Sequence, residues 1–291
     1  MTRVRGRAGT ARTGPPVVDR VRDAVVVEHH LAVEFGGARE GVLSCTPADL
    51  EELVAGHLIG RGLLPPDRTP AEVGFEVDFD PGRRTARARA PGAAPDAGVA
   101  ERARGAAGAE PDAAPGCAAG WESGAGSGAA VDGESAPGAA APAAAARDLR
   151  LDPADLLHLA AFLQDAPLFR LTGGTHSAAV APASALRGGP GKDDVVLRED
   201  ISRHSALDKV IGHLWLAGRL RPGGPFVLAT SGRVPLEVLE RAVRAGFPVV
   251  VARGAPTLVA VETAERFGLT LVGFARDGRM NIYSGPERVR V

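Results

Sequence analysis

The C-terminal third of the sequence has the most regular pattern of hydrophobic and polar positions. Apolar runs at residues 226–230, 249–251 and 269–274 predict three buried strands. Between them, amphipathic stretches at 235–245 and 256–267 predict two helices, each followed by a glycine. A strand–helix–strand–helix–strand series with short connections is typical of a parallel sheet. The pattern therefore predicts an α/β fold with a mainly parallel C-terminal sheet.

The N-terminal pattern is that of short strands. Apolar runs at residues 24–27 and 31–35, followed by the glycine-rich turn 35–41, predict a β-hairpin region. Apolar and polar residues alternate over 75–79, which is typical of a half-buried strand, and a second strand is predicted after the turn at 80–82. These elements, with one helix between them, predict a smaller N-terminal α+β region.

Three helix starts are predicted from residues suited to capping. Thr46, followed by proline and by acidic residues in the first turn, predicts a hydroxyl-capped helix that ends by Gly60 or Gly62. Asp152, also followed by proline, predicts a second helix. Ser202 predicts a third, whose apolar residues recur at helical spacing.

Residues 88–147 differ from the rest of the chain in composition. They are almost wholly alanine, glycine, proline and small polar residues. Such a segment cannot bury enough apolar surface to offset the entropy lost on ordering, so we expect a long disordered loop. The chain is accordingly expected to comprise a disordered tail at 1–20, the α+β region at 21–87, this mobile loop, and a C-terminal domain at 148–291.

Charge and cysteine content narrow the class of protein. Lysine and arginine total 34 against 35 acidic residues, so the overall charge gives no indication of a nucleic acid or a membrane as partner. No apolar run approaches the ~20 residues of a membrane span, and the N-terminus lacks the apolar core of a secretory signal. Two distant cysteines, Cys45 and Cys117, do not make a disulfide framework. We expect a soluble cytoplasmic protein.

Familiar metal and nucleotide motifs are missing from the sequence. The seven histidines are scattered, and no Cys-x-x-Cys completes a zinc set, so no metal site is predicted. The sequence also contains neither a Walker loop nor a G-x-G-x-x-G that opens a helix after a strand.

Glycine and arginine recur at the predicted carboxyl ends of three strands, in loops 230–233, 253–256 and 275–279. Ligands of α/β sheets bind at this edge. Arginine forks and exposed backbone amides suit phosphate or another oxyanion, and glycine lets the backbone approach closely. Each loop by itself is typical of a solvated turn, but their coincidence favours an anionic ligand.

The stretch 197–212 combines many charged side chains with an apolar helical face. His204 and Asp208 are four residues apart and therefore share one side of the predicted helix, facing one another. They form either an acid–base pair or part of a salt-bridged surface helix. A short strand is predicted at 195–197, just before this stretch.

A glycine pair follows another apolar segment. Residues 169–172 predict a strand that runs into a turn at Gly173 and Gly174, ahead of His176. The turn is either a binding loop or an ordinary hairpin connection.

Together these segments resemble the FdhD/NarQ family. The resemblance is carried by residues 197–212 (LREDISRHSALDKVIG), 172–176 (TGGTH), 230–233 (TSGR), 254–257 (GAPT) and 271–283 (LVGFARDGRMNIY), and Cys45-Thr-Pro47 with its helix also fits. The match covers about residues 21–87 and 148–291. The ordered series of motifs makes it highly specific.

The resemblance implies a sulfur carrier for formate dehydrogenase maturation. Such a protein accepts persulfide sulfur from a cysteine desulfurase and passes it to the molybdenum of a bis(molybdopterin guanine dinucleotide) cofactor, which it binds transiently as a client. The recipient would be the catalytic subunit of formate dehydrogenase. A cytidine-deaminase-like α/β/α core without the deaminase zinc set, and a cytoplasmic homodimer, are also implied.

By the same resemblance, the family's cofactor-binding motif falls on Phe274, Ala275, Arg276, Asp277, Gly278 and Arg279. Arg276 and Arg279 would pair with phosphates, and Phe274 would pack against the base or close the strand end. The further pocket residues implied are Thr172, Gly173, Gly174, His176, Arg203, His204, Asp208, Ser231 and Arg233.

The sequence departs from the family pattern inside the predicted loop. The family carries Ser-Cys-Gly-x-Cys-Gly, whose first cysteine bears the persulfide, whereas residues 116–120 read GCAAG. Cys117 is therefore the candidate catalytic residue, with Gly120 at the second cysteine position. A sulfur relay needs an accessible thiolate, which suits Cys117 on a mobile segment. Cys45, in an apolar context, is expected to be a buried small side chain.

Three functions stay open at this point. The chain is a sulfurtransferase that uses Cys117 without a second cysteine, or a degenerate cofactor-binding chaperone or paralogue that moves no sulfur. The third alternative is a small-molecule enzyme in which His204 and Asp208 act as an acid–base pair.

Overall fold

A computed structural model of the chain describes residues 2–5, 17–20, 22–93, 146–221 and 224–290, the first two ranges as backbone only. Most of the predicted loop at 88–147, including Cys117, lies outside the described residues, as does part of the predicted tail.

The strands are numbered in chain order, as follows: β1 (Thr2–Arg5), β2 (Val17–Arg20), β3 (His29–Phe35), β4 (Ala38–Cys45), β5 (Glu76–Phe79), β6 (Thr85–Arg89), β7 (His176–Pro182), β8 (Val196–Asp200), β9 (Phe226–Thr230), β10 (Val249–Ala252), β11 (Thr270–Arg276) and β12 (Arg279–Ser284). The helices are α1 (Leu50–Gly60), α2 (Pro70–Val73), α3 (Pro153–Phe162), α4 (Pro167–Thr172), α5 (Arg203–Leu216), α6 (Leu236–Arg244) and α7 (Leu258–Arg266).

A six-stranded sheet in the order β12-β11-β10-β9-β7-β8 organises the C-terminal half. Strands β9, β10 and β11 are parallel, which confirms the prediction from the strand–helix alternation. The sheet as a whole is mixed, so the prediction of a mainly parallel sheet is wrong. The cause is that β12 turns back on β11 through a tight hairpin, while β7 pairs antiparallel with both β8 and β9.

A four-stranded sheet in the order β4-β3-β6-β5 forms the N-terminal half. The predicted hairpin of β3 and β4 is present, as are the two predicted strands β5 and β6. Residues 24–27, predicted as part of the hairpin region, are not in a strand. The backbone of β1 and β2 forms a separate antiparallel pair.

Hydrophobic packing covers both faces of the six-stranded sheet. Successive residues of a strand point to opposite faces, so Leu228 and Val250 contribute to the cluster under α5, α6 and α7. Val227 and Val249 contribute to a second cluster, under α3.

Helix α1 from the N-terminal half packs directly on α5 from the C-terminal half, and both belong to the first cluster. Gly56 of α1 lies against the Asp208 carbonyl, and Gly212 of α5 lies against the Glu52 carbonyl. A side chain at either glycine would overlap the backbone of the facing helix. The two glycines therefore set how closely the helices pack.

Two predicted local structures are wrong, both because a distant carboxylate decides the conformation. Thr46 does not cap α1. Its backbone N–H and hydroxyl donate to Asp200 Oδ2 instead, at 3.1 and 3.3 Å, and the N-cap of α1 is Asp49. Residues 169–172 belong to helix α4 rather than to a strand, because Glu199 accepts hydrogen bonds from the first backbone N–H groups of that helix, at 2.7 and 2.8 Å.

Candidate functional site

The three arginine- and glycine-containing loops lie side by side at one edge of the six-stranded sheet. Backbone hydrogen bonds join them in series: Arg253 N–H donates to Thr230 C=O at 3.0 Å, and Phe274 N–H donates to Gly254 C=O at 3.1 Å. Val234 N–H also donates to Ala255 C=O at 3.1 Å. The loops consequently form one braced surface.

Close backbone approach explains two glycines on this surface. A Cβ on Gly254 would lie 2.7 Å from the Gly232 carbonyl oxygen, and a Cβ on Gly273 would lie 2.9 Å from Pro256 Cδ. Real Cβ atoms do not come that close to other atoms. Substitution of either residue would therefore push neighbouring loops apart.

The turn between β11 and β12 carries the predicted cofactor motif. Asp277 and Gly278 form the turn with φ of 55° and 72°. Arg276 and Arg279, at its two sides, are paired across the strands and are exposed. The Arg276 guanidinium lies 5.9 Å from the centre of the Phe274 ring, whereas Ala275 is buried. The turn thus presents two cations to solvent.

Two other predicted residues meet where β7 and β9 are adjacent. Ser231 Oγ accepts a hydrogen bond from Ser177 N–H at 3.0 Å and lies 3.3 Å from His176 Nδ1. Burial, together with the nearby Arg203 guanidinium, lowers the pKa of His176. The ring is therefore neutral near pH 7, and Ser231 is suited to donate to its Nδ1.

The Thr172–Gly174 turn uses its polar groups internally. The Thr172 hydroxyl donates to Leu168 C=O at 2.7 Å and accepts from Gly174 N–H at 3.1 Å. Gly173 ends α4 in the left-handed conformation, with φ of 66°. These contacts give the turn a structural role at the end of α4, and a direct contact with a ligand stays a prediction.

A cleft of about 550 Å³ opens between β4, the start of α5 and the start of α6. We call it the arginine cleft because three arginines line it. Its lining residues are Val42, Leu43, Ser44, Ser202, Arg203, His204, Ser205, Asp208, Arg233, Pro235, Glu237, Arg241 and Thr257. It brings together four of the predicted pocket residues, namely Arg203, His204, Asp208 and Arg233.

Two residues that lie next to the cleft residue Asp208 were not predicted from the sequence. Arg241 Nε donates to Asp208 Oδ1 at 2.9 Å, and His57 Nδ1 lies 3.8 Å from Asp208 Oδ2. Arg241 belongs to a predicted amphipathic helix and His57 to the predicted buried face of another. The sequence around Arg241 and His57 does not indicate a functional site, since only the tertiary fold brings these two residues to Asp208.

Among the described residues, no hydrogen bond joins His204 to Asp208, the two residues predicted to face one another. The Asp208 carboxylate is held by Arg241, and His204 Nε2 is buried without a hydrogen-bond partner in the described part of the chain. Burial, followed by the Arg241 charge, lowers the pKa of His204. This geometry disfavours an acid–base pair built from the two residues.

A fully buried charge network fixes the turn that leads into the cleft. Lys209 Nζ lies 2.7 Å from Asp200 Oδ2 and donates to Thr46 Oγ1 at 2.8 Å and to Glu199 C=O at 3.2 Å. Asp200 Oδ1 also accepts from Ser202 N–H at 3.2 Å. The network therefore holds the end of β8 at the point where α5 begins.

Of the two cysteines, Cys45 lies within the described residues. Cys45 is fully buried, and burial, with the Asp200 carboxylate, raises the pKa of its thiol to about 12. A neutral, buried thiol is a poor nucleophile. Cys117 lies outside the described residues.

Two further features concern the described residues only. There, no group of three or more His, Cys, Asp or Glu side chains is placed to hold a metal ion. In the same ranges, no helix has the length and apolar character required to cross a bilayer.

Comparison with known proteins gives a consistent result. A protein from Methanothermobacter thermautotrophicus named sulfur carrier protein FdhD is 31% identical over 271 residues, which cover 93% of each chain. A protein of the same name from Nocardia farcinica is 45% identical over 123 residues, but this match spans only 42% of the present chain and 41% of that protein.

A similar fold is found in a crystal structure from Desulfotalea psychrophila, of a protein assigned as a formate dehydrogenase accessory protein. The TM-score is 0.64 at 22% identity, with coverage of 100% of this chain and 98% of that one. The model of the FdhD/NarQ family matches residues 26–290. The chain belongs to the FdhD/NarQ family.

Proposed function

We propose that the protein is a sulfur carrier that supports formate dehydrogenase maturation. In this proposal it accepts persulfide sulfur from a cysteine desulfurase and delivers it to the molybdenum of a bis(molybdopterin guanine dinucleotide) cofactor destined for the catalytic subunit of formate dehydrogenase. The observation that carries the proposal is the braced edge of the six-stranded sheet, where hydrogen bonds hold three arginine-containing loops side by side.

The chemistry of this edge matches the client. The cofactor is rich in phosphate, and guanidinium groups bind phosphate through paired, charge-assisted hydrogen bonds. Arg276 and Arg279 on the β11–β12 turn are exposed, and Arg203 and Arg233 line the adjoining arginine cleft. Thr172, Gly173, Gly174, His176 and Ser231 would then shape the surface around the client.

Sulfur transfer in this proposal uses Cys117. Its thiolate would attack the terminal sulfur of the desulfurase persulfide, so that a new S–S bond forms on Cys117 and the desulfurase cysteine leaves as a thiol. The sequence has two cysteines, and Cys45 is fully buried with a raised pKa. The elimination of Cys45 supports the assignment of the persulfide to Cys117.

A second candidate function follows from Gly120. The position of the family's second loop cysteine is glycine here, so a relative that holds the cofactor without moving sulfur is the alternative. Both candidates use the same cofactor surface, and they differ only in whether Cys117 becomes a persulfide.

The wider proposal includes the features implied by family membership. The six-stranded sheet with its helices would be a cytidine-deaminase-like core, residues 148–291 would form the cofactor-binding domain, and two copies would form a cytoplasmic homodimer. Sedimentation of the full chain tests the dimer, because a monomer at micromolar concentration would contradict it.

Mass spectrometry separates the two candidate functions. The full chain is incubated with a cysteine desulfurase and cysteine, and the peptides are then analysed. One added sulfur on the Cys117 peptide, retained in Cys45→Ala and lost in Cys117→Ala, supports the sulfur carrier. If neither peptide gains sulfur while guanine nucleotide still binds, sulfur transfer is ruled out and the cofactor-holding alternative stands.

A further inference from the structure

We infer that Glu199 is a positioning residue of the proposed client surface, because its carboxylate fixes residues 172–176 next to the loop that carries Ser231. The inference rests on the proposed function for the identity of the client, since that proposal expects residues of this turn to shape the surface around it. Glu199 itself does not contact the client. It acts through the backbone and side-chain groups that it binds.

One carboxylate binds both ends of residues 168–175, which we call the α4 segment. At the start of the segment, Glu199 Oε2 accepts a hydrogen bond from Leu168 N–H at 2.8 Å, and Oε1 accepts one from Phe169 N–H at 2.7 Å. At its end, Oε1 also accepts from the Thr175 hydroxyl at 3.0 Å. Hydrogen bonds to a charged acceptor are stronger than those between neutral groups. The carboxylate therefore holds the two ends of the segment together.

The glycine pair inside the segment explains why such a constraint matters. Gly173 is in the left-handed conformation, with φ of 66°, and both Gly173 and Gly174 are exposed. Glycine populates many backbone conformations, so the pair gives the turn little stiffness of its own. The position of Thr175, which follows the pair, consequently depends in part on its hydrogen bond to Glu199.

Glu199 is anchored by its own backbone. Its C=O accepts from Lys209 Nζ at 3.2 Å, and Lys209 is paired with Asp200 in the buried charge network. Successive residues of a strand point to opposite faces of the sheet. The neighbouring Arg198 accordingly binds Glu52 of α1 at 2.6 Å, whereas Glu199 binds α4. The α4 segment is thus tied to a buried, charge-paired part of the fold.

The far end of the α4 segment leads directly into the predicted pocket residue His176. Thr175 is buried. His176 Nδ1 lies 3.3 Å from Ser231 Oγ, and Ser231 N–H donates to Ser177 C=O at 2.9 Å. Ser231 belongs to the loop at 230–233, one of the three that lie side by side at the sheet edge. A shift of Thr175 would therefore change how the His176 ring meets this loop.

The NMR signals of the His176 ring in the full chain test the inference without a ligand. Glu199→Gln keeps the length of the side chain but replaces one carboxylate oxygen by an amide nitrogen, which cannot accept, so at least one of the three hydrogen bonds is lost. Glu52→Gln is the matched control, because it alters a partly buried carboxylate that binds Arg198, the residue before Glu199.

We expect Glu199→Gln to shift the His176 signals and Glu52→Gln to leave them in place. A role of Glu199 in stability alone would not move these signals selectively. Equal shifts in the two variants, or none in Glu199→Gln, would overturn the inference.

Calorimetric titration with GDP, which carries the guanine and the diphosphate of the client, tests the consequence for binding. We expect Glu199→Gln to weaken GDP binding by about five- to tenfold and Glu52→Gln by less than about twofold. Unchanged affinity in Glu199→Gln would show that the hydrogen bonds do not position the surface.

A second variant keeps the test informative if Glu199→Gln folds poorly. Thr175→Val removes the hydroxyl that donates to Glu199 and keeps the shape of the side chain. It should shift the His176 signals in the same direction by a smaller amount. Its effect on GDP affinity should also add incompletely to that of Glu199→Gln, because both variants remove one shared hydrogen bond. Full additivity would contradict positioning through Thr175.

These outcomes are distinct from a failure of the proposed function. If Glu199→Gln shifts the His176 signals but the unmodified chain does not bind GDP, Glu199 positions the turn and the assignment of the client is wrong. If the unmodified chain binds GDP and Glu199→Gln changes neither the signals nor the affinity, the client surface stands and the role of Glu199 is wrong.

Discussion

Lys209 Nζ lies 2.7 Å from Asp200 Oδ2, and both side chains are fully buried. The ammonium group has three acceptors, namely Asp200, Thr46 Oγ1 and the Glu199 carbonyl. Since the carboxylate also holds Thr46 and Ser202, this ion pair ties the end of β4 and the end of β8 to the start of α5.

Removal of the lysine charge should be strongly destabilising. Lys209→Met leaves a buried carboxylate without its counter-charge, which costs about 3–5 kcal/mol of unfolding free energy. The double variant Lys209→Met, Asp200→Asn removes both charges and should lose less. Urea denaturation of the three proteins measures the difference, and a single-variant cost below about 1 kcal/mol would mean that the pair is not buried as described.

The glycines between α1 and α5 should not tolerate a methyl group. Gly56→Ala and Gly212→Ala each place a Cβ where the facing helix has its backbone, so we expect a loss of about 1–3 kcal/mol or a failure to fold. Gly82→Ala is the matched control because a Cβ there would have its nearest neighbour at 3.7 Å, in ordinary contact. Thermal unfolding of the three variants gives the comparison; equal melting temperatures would contradict the close helix contact.

The buried thiol should make stability depend on alkaline pH. The pKa of Cys45 is raised from 9.0 to about 12 by burial, with Asp200 adding to the shift. The unfolded chain then loses the thiol proton above pH 9 while the folded chain keeps it, so unfolding free energy falls as pH rises from 9 toward 12. In denaturation experiments at pH values on either side of 9, the unfolding free energy of Cys45→Ala should decline less with pH than that of the unmodified chain. Parallel declines would show that the thiol ionises freely in the folded protein.

His204 should make stability depend on acidic pH. Because its folded-state pKa lies below 6.5, its contribution to stability is present above pH 6.5 and is lost as the pH falls toward the folded-state value. His204→Gln should therefore lose less stability than the unmodified chain on acidification. An NMR titration of the His204 ring signals checks the direction of this pKa shift directly. A pKa above 6.5 without ligand would contradict the burial of the ring.

Sequence patterns correctly predicted the helices and strands whose formation depends on residues close together in the sequence. The helices and parallel strands after residue 225 follow their hydrophobic periodicity closely, as do the strands around Asp80. The start of α5 after Ser202 was also predictable from its sequence.

Contacts across the fold decided the rest. Thr46 is a residue type that often caps helices, but its backbone N–H donates to Asp200. Phe169 belongs to a helix because Glu199, 30 residues away in sequence, accepts a hydrogen bond from its backbone N–H. Arg241 could not be predicted as a site residue for the same reason, because its partner Asp208 is 33 residues away in the sequence. The position of the arginines at the edge of the sheet could be predicted from the sequence, but the side chains that they contact could not.

The contact between α1 and α5 has a consequence for how the protein is made. The two helices end at Gly60 and Leu216, so α1 emerges from the ribosome well before its packing partner exists. At typical rates of synthesis of about 5–20 residues per second, that interval is roughly 8 to 30 seconds. Protease digestion of stalled nascent chains would detect the unpacked α1, since chains that stop before α5 should be cleaved within α1. During synthesis the N-terminal half therefore completes its core only when the second half of the chain has been made.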